Sequence, residues 1–157
     1  MRKTIIFFLA AAVILGGIFL YQGFDRERGE ERAAPGEGRT KINREGDVEA
    51  IVTFLSEDQG TPPEELTFKV ELKSEGYNLA DYDPAETATL TNARDEKLST
   101  GFWWEEEEAR EDYLKGLLRV PNKRPDGKPF WEKEMDSLTL FLRDLGGSRE
   151  REFHWVF

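Results

Sequence analysis

Hydrophobic and polar positions follow two different patterns along the chain of 157 residues. Residues 4 to 21 are uncharged and largely apolar, whereas from residue 47 onward apolar residues recur at every second position. An apolar run of this length is about 27 Å long as an α-helix, which is close to the hydrocarbon thickness of a bilayer. Alternation with a period of two is typical of β-strands that bury one face. The pattern therefore predicts one membrane-spanning helix followed by an all-β domain.

The apolar run begins after Arg2 and Lys3 and ends at Tyr21, shortly before a charged segment that starts at Asp25. It is longer than the apolar core of a cleavable signal peptide, about 7 to 15 residues, and no clean Ala-x-Ala site follows it. We therefore predict an uncleaved signal-anchor helix over residues 1–24, with a cleaved signal peptide or a buried soluble helix as alternatives. Lysine and arginine on the two flanks do not decide the orientation. The short basic segment before the apolar run favours an N-terminus on the cytoplasmic side of the cell membrane and a C-terminal domain on its outer side.

Residues 25–45 contain several glycines and many charges of both signs, and Ile42 is their only larger apolar residue. A segment of this composition cannot bury enough apolar surface to offset the entropy that folding removes. We therefore predict a flexible charged linker over residues 25–45. The extracytoplasmic domain is expected to comprise residues 46–157.

Seven short segments of the domain alternate apolar and polar residues. In the clearest of them, Leu66 to Lys73, the even-numbered residues are apolar and the odd-numbered residues are polar or charged. The others are residues 48–54, 85–91, 97–104, 113–120, 137–143 and 152–157. Glycine, proline, asparagine and aspartate residues typical of turns separate them. About seven short strands without a long amphipathic helix predict an immunoglobulin-like antiparallel β-sandwich, with a partly closed barrel as the alternative.

The last predicted strand carries three aromatic residues on one face, Phe153, Trp155 and Phe157, and His154 on the opposite face. Successive side chains of a strand point to opposite faces, so the three aromatic rings are expected together in the core. His154 is then expected to be an ordinary surface residue.

Composition narrows the function of the domain. The net charge is −10, and nucleic-acid binding requires clustered lysine and arginine, so no nucleic-acid partner is expected. The absence of cysteine excludes disulfides, thiolate catalysis, cysteine-ligated zinc and a lipoprotein anchor. His154 is the only histidine, and the chain contains no nucleophile elbow, P-loop or Gly-x-Gly-x-x-Gly motif. These observations favour a non-catalytic domain without a cofactor over an enzyme.

The most unusual local sequence is Trp103-Trp104 followed by four glutamates, Glu105 to Glu108. In a strand, one tryptophan would face the core and the other would face the solvent. A functional interpretation is an interaction patch formed by Trp104, Glu106 and Glu108, in which an exposed aromatic ring lies beside an anionic rim. The structural alternative is a solvated acidic loop that leaves the preceding strand.

Five carboxylates are candidate ligands for a divalent cation such as Ca²⁺, because this ion prefers oxygen ligands. They are Asp81, Asp83, Glu86, Glu105 and Glu107. No Asp-x-Asp-x-Asp-Gly calcium loop is present, and the acidic residues around Pro84 are also typical of turns and helix caps. A cation site and ordinary turn chemistry are therefore both open interpretations of these residues.

Six short sequences distributed over the domain form a recognisable set. They are Phe68–Leu72, Asn78-Leu79, Tyr82-Asp83, Ala88–Leu90, Leu140–Gly147 and Arg151–Trp155. Together they resemble an uncharacterised family of exported or membrane-anchored immunoglobulin-like β-sandwich domains. Members of that family often carry a histidine where this chain has Glu75 or Gly76, and a Gly-His-His sequence near Arg110 to Tyr113. This chain has neither histidine site, so the resemblance implies the fold and the compartment and no metal role.

Two classes of function remain after these exclusions. The first is a membrane-tethered, extracytoplasmic, non-catalytic interaction domain that engages another protein, such as an envelope protein, or another component of the cell envelope. The alternative is an extracytoplasmic module that binds a divalent cation similar to Ca²⁺ through the carboxylates named above.

Overall fold

The computed structural model describes residues 39–57 and 60–157. These residues form nine β-strands and one short helix, arranged as two antiparallel sheets. The elements are β1 (Thr40–Glu45), β2 (Val48–Phe54), β3 (Glu65–Ser74), α1 (Pro84–Thr87), β4 (Ala88–Asn92), β5 (Lys97–Leu98), β6 (Trp103–Arg110), β7 (Tyr113–Pro121), β8 (Ser137–Leu145) and β9 (Ser148–Val156). The all-β fold class predicted from the sequence is confirmed.

Sheet A contains five strands in the order β1-β2-β3-β7-β6, and sheet B contains four strands in the order β5-β4-β8-β9. Most neighbouring strands are also consecutive in the sequence and pair as antiparallel hairpins. The pairs β3–β7 and β4–β8 are the exceptions, because the chain crosses between the sheets before it returns. One cluster of buried apolar residues includes side chains from both sheets, so the core lies between their inner faces.

The predicted signal-anchor helix, residues 1–24, and residues 25–38 of the predicted linker lie outside the described residues. Within the part of the chain that the structure describes, no helix is long and apolar enough to span a membrane. The first described element is β1, which begins at Thr40.

The alternating pattern of the sequence matches the buried faces of the strands. In β3, all four predicted inward residues, Leu66, Phe68, Val70 and Leu72, are fully buried. Burial of one large apolar side chain stabilises the fold by roughly 1.5 to 3 kcal/mol, and a shift of one residue would turn all four outward. The segments predicted for β2, β3, β7, β8 and β9 are confirmed as strands, with ends that differ by up to four residues.

Two predicted strands are interrupted in the structure. Residues 85–91 begin in α1, because the Asp83 carboxylate accepts a hydrogen bond from the Ala85 backbone N–H at 2.8 Å and Pro84 occupies the first turn. Residues 97–104 contain β5 and the start of β6, and the chain crosses from sheet B to sheet A between them. Gly101 at this crossing has a φ of +82°, a conformation that favours glycine.

β1 corrects the predicted linker, because residues 40–45 are a strand of sheet A and not a flexible segment. Just before β1, the Arg39 backbone carbonyl accepts a hydrogen bond from the Trp155 indole N–H at 2.6 Å. The Arg39 side chain also donates a hydrogen bond to the Ser56 carbonyl at 2.8 Å. β1 has little apolar surface, and residues far along the chain hold it in place. Composition alone therefore could not identify this strand.

Arg151 of β9 is fully buried and joins the two sheets. Its guanidinium donates hydrogen bonds to the backbone carbonyls of Glu45, Val48 and Leu145 and to the Asn43 side chain, over distances of 2.5 to 3.3 Å. Burial lowers the pKa of Arg151 from its ordinary value. Because a guanidinium has five N–H donors and no acceptor, this ring of acceptors satisfies it in the interior.

The remainder of β9 agrees with the predicted alternation at most positions. Phe153 and Trp155 are buried in the core, and His154 on the opposite face is exposed. Phe157 departs from the prediction, because it is 44% exposed. Its ring nevertheless lies 5.1 Å from that of Trp131, which belongs to the loop between β7 and β8.

Candidate functional site

The acidic run, for which a loop was the structural alternative, is a strand. β6 spans Trp103–Arg110 at one end of sheet A, where it pairs with β7. No other strand among the described residues pairs with β6, so one edge of its backbone is open. We refer to residues 103–108 as the acidic edge.

A β-bulge determines which residues of the acidic edge share a face. Trp104 and Glu106 lie opposite inward-facing positions of β7 and are therefore on the inner face of sheet A. The register shifts between Glu106 and Glu108, so that Glu108 lies opposite Lys115 on the outer face. The patch predicted from Trp104, Glu106 and Glu108 is thus divided between the two faces.

The two tryptophans face opposite sides of sheet A, as the alternation predicts. Trp103 is on the outer face and is 41% exposed, whereas Trp104 is half-buried and packs against the core. The Trp104 ring lies over Gly116, where an added Cβ would be only 2.7 Å from the ring, so this position requires glycine. The exposed aromatic residue of the acidic edge is therefore Trp103 and not Trp104.

Three of the four glutamates are paired with basic residues of β6 or β7. The ion pairs are Glu105 with Arg119 at 3.0 Å, Glu107 with Lys115 at 2.8 Å and Glu108 with Arg110 at 3.1 Å. The hydrogen bond from Lys115 lowers the pKa of the Glu107 carboxyl, and the same bond raises the pKa of Lys115. Exposed pairs of this kind contribute little to folding, but they balance most of the charge of the strand.

Glu106 differs from the other glutamates, because it forms no ion pair among the described residues. It is exposed and lies beside Trp104 on the inner side of the acidic edge. α1 packs against β6 and β7 and brings a second acidic segment, including Glu86, to this side of the domain. In the described part of the chain, Glu86 and Asp81 are also without an ion pair. The inner side of β6 next to α1 therefore carries negative charge that no basic side chain of the described residues pairs with.

The core is incompletely covered along this same side. β4 pairs with β8 on one side, but on its other side β5 pairs only with Leu90 and Thr91. The first half of β4 therefore has no neighbouring strand on that side among the described residues. Four apolar residues of this region are only partly buried against the core, and we refer to them as the open seam: Ala85, Leu98, Phe102 and Trp104. The buried Trp104 Nε1 has no hydrogen-bond partner among the described residues.

The structure does not bring the candidate cation ligands together. Asp83 caps α1, while Glu105 and Glu107 bind basic side chains. Within residues 39–57 and 60–157, no group of three or more histidine, aspartate or glutamate side chains could hold a metal ion. The five carboxylates identified in the sequence therefore serve other local contacts or face the solvent.

No protein-family model, curated protein or solved structure matches the chain. The geometry of the acidic edge is therefore the basis on which a function can be assigned. Sequence reasoning found its residues but missed the open edge, the bulge and the isolation of Glu106. One signal was available, because an outer strand is commonly protected by charged residues and by a bulge, and a run of glutamates after two tryptophans fits that composition.

Proposed function

We propose that the chain is a membrane-tethered, extracytoplasmic, non-catalytic interaction domain that engages another envelope protein through the acidic edge. The uncharged residues 4 to 21 support a single-pass anchor in the cell membrane. The first 38 residues contain five basic and five acidic residues, so the net charge of −10 belongs to residues 39–157. Such a charge favours a partner with a basic surface, because opposite potentials speed encounter and select among partners.

The open acidic edge is the observation that carries this proposal. The unpaired Glu106 carboxylate lies beside the half-buried ring of Trp104, and Trp103 is exposed on the other face. Tryptophan is enriched at the centres of binding surfaces, because it supplies a large apolar area and a polar N–H. An unpaired strand edge adds backbone donors and acceptors that a second chain can use.

We also propose an immunoglobulin-like topology for the two sheets. In that fold one sheet has strands A, B, E and D, and the other has C, F and G, with C′ added beside C in some members. The order β2-β3-β7-β6 in sheet A and β5-β4-β8-β9 in sheet B supports the assignment of β2 to β9 as A, B, C, C′, D, E, F and G. β1 is then an additional outer strand. Function still depends on the site and not on this topology.

The orientation is tested by adding protease to intact cells that express the full chain. The protease is expected to cut within residues 25–38 and to release the all-β domain into the medium. Cleavage that occurs only after lysis would contradict an extracytoplasmic domain.

The interaction is tested by replacing Trp103 with a photoreactive phenylalanine derivative in the full chain and irradiating intact cells. We expect a covalent adduct with another envelope protein. The matched control carries the same group in place of Val156, which is 71% exposed at the end of β9 in sheet B. Absence of the adduct, or equal adducts from both positions, would contradict a partner at the acidic edge.

A further inference from the structure

We infer that the acidic edge binds an extended segment of its partner as an additional β-strand beside β6. A basic side chain of this segment faces Glu106, and an apolar side chain faces Trp104. This mode of binding rests on the proposed function and specifies the chemistry of the partner.

β6 offers such a segment the backbone groups of a regular strand. Trp103 to Glu106 pair in register with Arg119 to Gly116 of β7, so alternate N–H and C=O groups point away from β7. When a strand is added to a sheet edge, backbone hydrogen bonds supply affinity and alternate side chains supply specificity. The bulge after Glu106 ends the regular pairing, and the site is therefore centred on residues 103–106.

The inner face of β6 indicates which side chains the added strand carries. Trp104 and Glu106 are two residues apart on this face, so residues two apart on the added strand lie beside them. A lysine or arginine at one of these positions supplies the ion pair that Glu106 lacks, since opposite charges on adjacent strands attract. An apolar residue at the other position covers Trp104 and extends into the open seam.

The outer face of β6 does not require a charged residue on the added strand. Glu105 is already paired with Arg119, and Glu107 with Lys115, so a second set of charges is not required there. A neutral residue, such as threonine, fits between these ion pairs and the exposed ring of Trp103. The occupant is therefore a short extended segment in which apolar and basic residues alternate on one face.

A second copy of this chain does not fit the edge. Pairing of β6 with another β6 places glutamates beside glutamates, and like charges on adjacent strands destabilise the pair. The acidic edge therefore disfavours self-association and favours a basic strand, which is how charge creates specificity between similar edges.

The test uses the full chain in detergent micelles and a capped peptide of eight residues in which threonine alternates with valine and lysine in turn. We expect saturable binding that slows hydrogen exchange of the backbone amides at residues 103–106 and leaves β1 unchanged. Two further peptides carry N-methyl groups at the odd or at the even positions and keep every charge. One of them should bind at least tenfold more weakly, because only one set of N–H groups faces β6.

The variants Glu106→Gln and Glu105→Gln remove the same charge from the same strand and form a matched pair. Glu106→Gln should weaken peptide binding at least tenfold, whereas Glu105→Gln, whose carboxylate is already paired with Arg119, should change it less than threefold. A peptide with glutamate in place of lysine should not bind. Thermal melts of both variants check that each domain remains folded.

Equal binding by the two N-methylated peptides would overturn strand addition and leave the acidic edge as a surface that attracts basic chains by charge alone. Protection of β1 in place of β6, or no binding at all, would also overturn it. A dimer whose β6 amides are protected before the peptide is added would show that a second copy occupies the edge, with the same consequence. Crosslinking from position 103 judges the proposed function separately, because it does not depend on backbone pairing.

Discussion

The two outer strands of sheet A, β1 and β6, are held in opposite ways. β1 has few apolar residues, and the buried side chains of Arg151 and Trp155 in β9 bind its residues or the residue before it. β6 has no such buried polar anchor: it pairs with β7 and packs Trp104 against the core, and its ion pairs lie at the surface. Each of the two strands pairs with one neighbour only, but buried hydrogen bonds connect β1 to β9 of sheet B. We refer to the side of β1 as the closed side and to the side of β6 as the open side.

Under the proposed function, this difference assigns stability to the side of β1 and recognition to the side of β6. β1 and β9 are in contact, so the hydrogen bonds of Arg151 connect sheet A and sheet B on that side. On the side of β6, α1 packs against the strand, and the residues of the open seam are only partly buried. The core is therefore incompletely covered there. Binding regions are commonly drawn from the less stable parts of a fold.

Removal of residues 1–45 should have the largest effect, because it deletes β1. The segment was predicted to contain only the anchor and a flexible linker, but the structure places in it two acceptors of Arg151 and the acceptor of Trp155. We expect a chain that starts at Gly46 to melt at least about 15 °C below one that starts at Gly36, or to aggregate. Equal melting temperatures by circular dichroism would show that β1 contributes little to the closed side.

Trp155→Ala should be the most damaging single substitution on the closed side. Trp155 is fully buried, packs against Phe54 and Phe68, and donates to the Arg39 carbonyl. Emptying a buried large aromatic site costs about 3 to 5 kcal/mol of the free energy of unfolding. The control is His154→Ala on the opposite face, which should cost less than about 0.5 kcal/mol. Urea denaturation of both variants decides whether the register of β9 is correct.

Arg151→Met should lower the free energy of unfolding somewhat less than Trp155→Ala, by about 3 kcal/mol. The methionine keeps apolar bulk in the core but leaves several buried carbonyls without a hydrogen-bond donor. Arg149→Met provides the control, since Arg149 is exposed on the same strand. We expect Arg151→Lys to recover only part of the loss, because an ammonium group cannot reach the same fork of acceptors. If Arg151→Met is as stable as the unmodified chain, the ring of acceptors does not hold the closed side together.

Charge changes on the acidic edge should have a small effect on stability. Lys115 lowers the pKa of Glu107, which means that their ion pair stabilises the folded state above the ordinary carboxyl pKa. This stabilisation is lost as the pH falls through the lowered pKa. Glu107→Gln should therefore shift the melting temperature by no more than about 2 °C at pH 7, with the difference disappearing in acid. A large destabilisation at pH 7 would mean that the contacts of β6, like those of β1, are important for the stability of the fold.

Millimolar Ca²⁺ should have the smallest effect, with no rise in the melting temperature. A ligand that binds only the folded state stabilises it by an amount that grows with the logarithm of the ratio of its concentration to its Kd, so binding at concentrations well above the Kd raises the melting temperature. The expected absence of a shift follows from the ion pairs of Glu105 and Glu107 and the capping role of Asp83. A clear rise would restore the cation-binding alternative.

The period of two in the sequence was sufficient to identify most strands, because residues such as Phe68 and Val70 are apolar wherever they face the core. It failed for β1, whose inner positions include Asn43 and Glu45, since these residues bind Arg151 and not other apolar side chains. The burial of Arg151 was not predicted either, because the period of two was applied only to apolar residues. Its position in the alternation of β9 is that of a core residue, but its charge is typical of the surface.

The residues of the candidate site were also visible in the sequence, although their arrangement was not. Strict alternation assigned Glu108 to the same face as Glu106, and the bulge reverses this assignment. The partners of Glu105 and Glu107 lie on β7, and the proximity of α1 to β6 depends on the order of the strands. Such relations are set by tertiary structure, and local patterns contain little information about them.

The dependence of β1 on β9 has a consequence for how the protein is made. Ribosomes add about 5 to 20 residues per second, so the interval between synthesis of Thr40 and of Trp155 is about 6 to 23 s. During that time all five strands of sheet A are synthesised, but β1 lacks the hydrogen bonds that Arg151 and Trp155 donate to it and to the residue before it. The domain therefore reaches its native state only when its last ten residues have been translated, and a nascent chain must keep its first strand from pairing elsewhere until then.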